Sequence, residues 1–170
     1  RALAEARRAA RASGDSITSL LDQTLAAFDR FLVGDTREAG EALAALEWRQ
    51  AEDYYPSNRS RILMPLSRLA ASEWLLASGD AAGSARLLTW VEADGGPGGV
   101  GKDLLKGLAG LQRARVEAAR GQPAVAREHY RRFLTRYDMP TPAHRHLVEE
   151  AREALLRLGG RGDPPQGRLP

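Results

Sequence analysis

Few residues of this chain stand where chemistry could use them. The first candidate is Gly96-Pro97-Gly98-Gly99-Val100-Gly101-Lys102-Asp103, which fits the GxxxxGK string of a phosphate-binding loop. In such a loop successive backbone N–H groups cradle phosphate oxygens, the lysine reaches them, and a Ser or Thr hydroxyl next in line holds Mg²⁺. Leu87 to Val91 could pass for the strand before it. Asp103 takes the place of the hydroxyl, however, and its carboxylate would repel phosphate. The chain also offers no parallel sheet to display the loop. The string is therefore expected to be an exposed inter-helix connection over 95–101.

Metal and nucleophile chemistry fare no better. His129, His144 and His146 are the only histidines, and there is no cysteine. His144 and His146 are two apart, a spacing that does not share a helix face. No HExxH-type pattern is present, so no metal site is expected, and neither is a catalytic or cofactor site. Serine, aspartate and histidine all occur, but a triad is defined by geometry rather than by composition.

Arginine is the more informative type. Arg113, Arg120, Arg127, Arg131 and Arg136 could form a basic strip that receives an acidic peptide or a nucleic-acid backbone. The plainer alternative is a solvated face laced with i,i+4 pairs such as Glu128 to Arg132. Among the large aromatics, Trp48, Trp74, Trp90, Tyr54 and Tyr55 should mostly be core. One left on a concave face would be a peptide contact, and Trp48 and Trp74 are the candidates.

The elements that carry these residues are helical. At 170 residues the chain can form one domain or a short repeat array. Alanine and leucine dominate its apolar set, while β-branched and aromatic residues are few, which favours helices over strands. The net charge of +3 is uneven. Residues 1–85 hold 10 basic and 12 acidic residues, and residues 86–170 hold 15 and 10. A surplus of that size is small beside dedicated nucleic-acid binders, so a nucleic-acid partner is not expected. No apolar run approaches the roughly 20 residues of a transmembrane helix. The chain opens on Arg1 rather than Met. It therefore reads as a processed protein or a piece of a longer one. Its compartment is left open, with the cytoplasm favoured.

Periodicity and stop signals predict an N-terminal helix remnant and linker over 1–16 and a repeat domain over 17–158. Its helix pairs fall at about 17–54, 59–94 and 102–137, followed by a capping helix over 143–158. Residues 159–170, rich in Gly, Pro and Arg, should be disordered. The second helix of the first pair should run to about Asp53. Pro65 should kink the next helix or sit in its first turn, with the start at about Met64.

Three glycines punctuate the pairs: Gly34, Gly79 and Gly121, spaced 45 and 42 residues apart. Each suits the left-handed position that closes a helix, and Asp35, Asp80 and Pro123 suit the start of the next. Seven residues before each glycine stands a small residue: Ala27, Ser72, Ala114. Five after stands another small one: Ala39, Ser84, Ala126. Nine after stand Leu43, Leu88 and Tyr130, and twelve after stand Leu46, Val91 and Phe133. Two antiparallel helices joined by a tight turn approach closely only where small residues meet, and large ones fill the groove beside them. The second copy also places Ala85 at six, as if one extra residue followed its turn.

These residues resemble the tetratricopeptide repeat, a family of helix-turn-helix repeats, over about 17–158. The third copy is nearest, with Gly121, Ala126, Tyr130, Phe133 and Pro140 in the turn, small, aromatic, packing and terminating places. The copies exceed the family's unit of about 34 residues, and its aromatic in the first helix is absent. The closing segment looks like the C-terminal repeat region of large bacterial multidomain proteins. The resemblance implies an all-α solenoid of about three antiparallel pairs, without catalysis or cofactor, that binds a protein or peptide on a concave face. The alternative is a self-associating subunit of a homo-oligomer or larger assembly. Ala126→Trp should overpack the third pair and lower stability by roughly 1–3 kcal/mol, read by chemical denaturation. Unchanged stability would mean the register of that helix is wrong.

Overall fold

The computed structural model describes residues 2–13, 16–46, 58–93 and 99–159. Among them are eight α-helices, one short 3₁₀ turn and no strand. The helices are α1 (Ala2–Ser13), α2 (Ser16–Leu32), α3 (Thr36–Ala44), α4 (Asn58–Ala77), α5 (Ala81–Glu92), α6 (Gly99–Ala119), α7 (Pro123–Arg136) and α8 (Arg145–Gly159), with the 3₁₀ turn Pro142–His144 before α8. The chain divides into two compact units, Arg1–Ala109 and Gly110–Pro170, where the sequence suggests one continuous repeat domain.

The turns are built alike. Gly34, Gly79 and Gly121 have φ of +99°, +89° and +73°, and no other described residue has a positive φ. Each glycine N–H donates to the carbonyl three residues back, and the next N–H donates to the carbonyl five residues back. These bonds are Gly34 to Phe31 and Asp35 to Arg30, Gly79 to Leu76 and Asp80 to Leu75, and Gly121 to Ala118 and Gln122 to Glu117. That is the Schellman closure, which satisfies the last carbonyls of one helix and requires a residue without a Cβ at the left-handed position.

The residue after the glycine opens the next helix. The carbonyls of Asp35, Asp80 and Gln122 accept the N–H of Ala39, Ser84 and Ala126. One residue is thereby bonded to both helices, and its backbone repeats: (−80°, 55°), (−87°, 74°) and (−107°, 65°). Asp80 adds a side-chain cap to Gly83 N at 2.8 Å. Asp35 and Gln122 add none. At the third turn Pro123 stands at the first helical position and has no N–H to satisfy.

All twelve residues singled out around the glycines are buried, none more than 8% exposed. In the second copy the small residues touch: Ser84 Oγ lies 2.7 Å from Ser72 Oγ and donates to the Ser72 carbonyl at 2.8 Å. Ser84, not Ala85, therefore holds the buried small position, and the second copy has no extra residue. Ala27 and Ala39 share the core of the first unit, and Ala114 and Ala126 that of the second. A further close approach lies at Gly40, where an added Cβ would stand 3.2 Å from the Leu75 backbone nitrogen.

Aromatic packing completes the first core. Trp74 stacks on Phe31 at 4.4 Å between centroids and meets the edge of Phe28 at 4.9 Å. In the second core, Phe133 stacks on Tyr137, which meets the edge of His144. Helix α1 is attached differently. Ala10 is its one buried apolar residue. Arg7 reaches Asp22 and Asp29, and Arg11 reaches Asp22. Hydrogen bonds from Arg11 and then Arg7 hold the Asp22 carboxyl below its ordinary range. Its contribution to this attachment is therefore present above the ordinary carboxyl pKa and is lost as pH falls through the lowered one.

Several boundaries differ from expectation. Helix α3 closes at Ala44, with the Ala45 N–H donating to Glu41, well short of Asp53. Helix α4 begins at Asn58 and carries Pro65 in its interior rather than in its first turn. Pro65 has no N–H to give Arg61, so the helix runs with one ladder bond fewer. Gly99 to Gly101 belong to α6 rather than to a loop. The expected turn over 54–58 and disordered tail over 159–170 lie outside the described residues except at their edges, where Asn58 opens α4 and Gly159 closes α8.

The turn glycines give a clean test. Nothing lies within 4 Å of a Cβ added at Gly79 or at helical Gly110. Gly79→Ala should cost about 1–2 kcal/mol through backbone conformation alone, whereas Gly110→Ala should stabilise by about 0.5–1 kcal/mol. Urea denaturation of the two variants checks both signs, and equal effects would contradict the assigned turn.

Candidate functional site

The sequence candidates separate into three environments. Arg113 and Arg120 are on α6, where Arg113 is buried beside buried Glu117. Arg113 Nη1 lies 3.4 Å from Glu117 Oε1, and Arg120 Nη1 donates to the same carboxylate at 3.1 Å. This is an internal charge cluster, so Arg113 offers no surface to a partner. The expected strip is corrected at Arg113, which the buried carboxylate holds inward, whereas Arg120 reaches the same carboxylate from the half-exposed side. Trp74 is likewise a core residue rather than a surface contact. Trp48, Tyr54 and Tyr55 lie outside the described residues. Trp90 is half-buried with the Arg68 guanidinium over its ring at 4.4 Å.

Arg127 and Arg131 behave differently. Both are on α7, four residues apart and so on one helix face. The buried stripe of the same helix is Ala126, Tyr130 and Phe133, which meets Val148, Ala151 and Ala154 of α8 in the second core. Packing along that seam brings a second stripe of α8 beside the arginines. Arg127, Arg131, Arg152, Leu155, Leu156 and Gly159 line an open depression of about 400 Å³. The four α8 positions follow i, i+3, i+4, i+7, one helical stripe. Arg127 Nη1 approaches the Leu158 carbonyl at 3.4 Å, at the C-terminal end of α8 where helix carbonyls lack internal donors. Arg136 ends α7 and does not line this depression.

Two further arginines of this unit face carboxylates. Arg115 donates to both oxygens of Glu150 at 2.7 and 2.6 Å, and Arg132 donates to Glu128 at 2.8 Å. The i,i+4 pair expected between Glu128 and Arg132 is thus present, on the exposed side of α7. Burial, and secondarily the Glu150 charge, pushes the Tyr130 phenol above its ordinary pKa, so it is neutral and serves packing.

The phosphate-loop string has no support in the geometry. Leu87 to Val91 lie inside α5, so the strand of such a site is absent, and Gly99 to Lys102 lie inside α6, while 96–98 lie outside the described residues. Among the described residues no three His, Cys, Asp or Glu gather as metal ligands. No helix there is long and apolar enough to cross a membrane. Arg152, Leu155 and Leu156 were not singled out by sequence. Their stripe is visible in the spacing, but the packing partner that turns it into a groove is not. Comparison with family models, with curated proteins and with solved structures returned no match.

The buried cluster yields a test. Glu117→Gln removes the carboxylate that buried Arg113 faces, and breaking such a pair should cost roughly 3 kcal/mol. Arg120→Gln, at the half-exposed end, should cost under about 1 kcal/mol. Denaturant midpoints of both variants check the ranking, and the reverse order would contradict it.

Proposed function

We propose that this chain is a tetratricopeptide-like helical repeat module, part of a larger bacterial protein, that binds a peptide or protein segment and carries out no chemistry of its own. In this reading the three turn units mark three antiparallel pairs of an α-solenoid, and α8 caps its C-terminal end. One observation carries it. The small, large and glycine residues that recur at fixed offsets are all buried or in turns, a use of sequence that builds a scaffold. What is left exposed is free for recognition.

A second reading, self-association, is favoured by Phe31, Leu32 and Val33. These three consecutive apolar residues at the end of α2 are 37%, 71% and 76% exposed. Contiguous apolar surface of this kind marks interaction sites.

Selection of a displayed random-peptide library on the folded chain tests the module reading. It predicts enriched peptides that bind the native protein in solution and lose binding when it is unfolded by urea. Enrichment of nothing, or of peptides indifferent to unfolding, would contradict it. Light scattering across concentrations decides the second reading, since a strict monomer rules it out.

A further inference from the structure

We propose that the groove between α7 and α8 is the docking site for an acidic peptide segment of a partner protein, one that carries an apolar side chain among its carboxylates. The inference rests on the reading of the chain as a peptide-binding module and adds the place and the chemistry.

Charge is the first argument. Three of the six lining residues are arginines, and none is acidic. In the same unit Arg113 and Arg120 face Glu117, Arg115 faces Glu150, and Arg132 faces Glu128. Among the described residues Arg131 and Arg152 have no ion pair. The groove lining itself holds no carboxylate to match them. Cations gathered from two helices repel one another and raise the local concentration of anions. A guanidinium presents a planar fork that takes a carboxylate through two parallel hydrogen bonds.

Apolar surface is the second argument. Leu155 and Leu156 line the same depression as the cations, and Leu156 is 76% exposed. A leucine in that setting is covered by a ligand that offers carboxylates at its edges and a hydrocarbon side chain at its centre. The volume of about 400 Å³ is sufficient for a few side chains. A nucleic acid fits less well. Its affinity comes from many phosphate contacts, and base stacking needs exposed aromatics, whereas the lining here is three arginines, two leucines and a glycine.

The test uses the whole chain and a fluorescein-labelled nonapeptide with the repeat Glu-Glu-Leu. Comparison probes are an all-Glu nonapeptide, a Lys-Lys-Leu nonapeptide and a single-stranded oligonucleotide of matched charge. Anisotropy titrations should rank Glu-Glu-Leu above all-Glu and show no binding of the lysine peptide. Amide shifts of ¹⁵N-labelled protein should concentrate at 127–131 and 152–159. The double variant R131E/R152E should weaken binding at least tenfold with an unchanged melting curve, and R131K/R152K should retain most of it. Insensitivity to R131E/R152E, shifts confined to other helices, or tighter binding of the oligonucleotide would overturn the proposal. Library-selected peptides that bind the native chain away from α7 and α8 would overturn the site and leave the module reading standing. Failure of every peptide to bind would overturn both.

Discussion

The structure depends on one backbone constraint: a helix must end, turn and restart within three residues while its two flanking helices come into contact. Only a residue without a Cβ occupies the left-handed position without strain, so glycine stands at 34, 79 and 121. The residue after it donates to the helix that has ended and accepts from the helix that begins. With backbone bonds fixed on both sides, the offsets along the chain become offsets in space. Residues seven before and five after the glycine are brought together, and bulk at either place would force the helices apart. Ser72 and Ser84 show the contact directly, hydroxyl to hydroxyl, in an environment from which water is excluded.

Burial of the larger residues follows from that contact. Close approach at the small pair leaves grooves that Leu43, Leu88 and Tyr130 fill one turn further on, with Leu46, Val91 and Phe133 beyond them. Interiors at this density transmit a change of one side chain to its neighbours. The aromatic groups Phe28–Phe31–Trp74 and Phe133–Tyr137–His144 extend the packing within each unit. Charged residues are then sorted by what packing leaves near them. Glu117 is carried inward on α6 with Arg113 beside it and Arg120 reaching it from the half-exposed side, while Arg131 and Arg152 end beside leucines with no carboxylate among the groove residues.

How far this could be read from the sequence follows the same physics. The glycine turns and their small partners were readable because only one residue type fits each place. The end of α3 was not. The run Ala-Leu-Ala-Ala-Leu-Glu consists of strong helix formers, and no glycine or proline announces the closure at Ala44. The start of α6 was misread for the opposite reason: glycines in a first helical turn look like a loop. Pro65 suggested a kink or a helix start, and it is the start that fails: a buried proline can sit inside a helix whose other turns are bonded. Arg113 was read as surface from its type alone, although Glu117 and Arg120 at i+4 and i+7 carried the signal of a local cluster. The groove needed the pairing of α7 with α8, which no single-helix pattern reveals.

The central claim is that the small residues before and after each turn glycine meet and set the register of the chain. A double-mutant cycle on Ser72→Ala and Ser84→Ala measures it most directly. Each single variant should leave a buried hydroxyl with fewer partners and lose about 1–2 kcal/mol, while the double variant removes both groups and should lie near the wild type. A coupling free energy of at least about 0.5 kcal/mol is expected from residues in contact. Strict additivity of the two losses would contradict the contact, and with it the register on which the rest of this account depends.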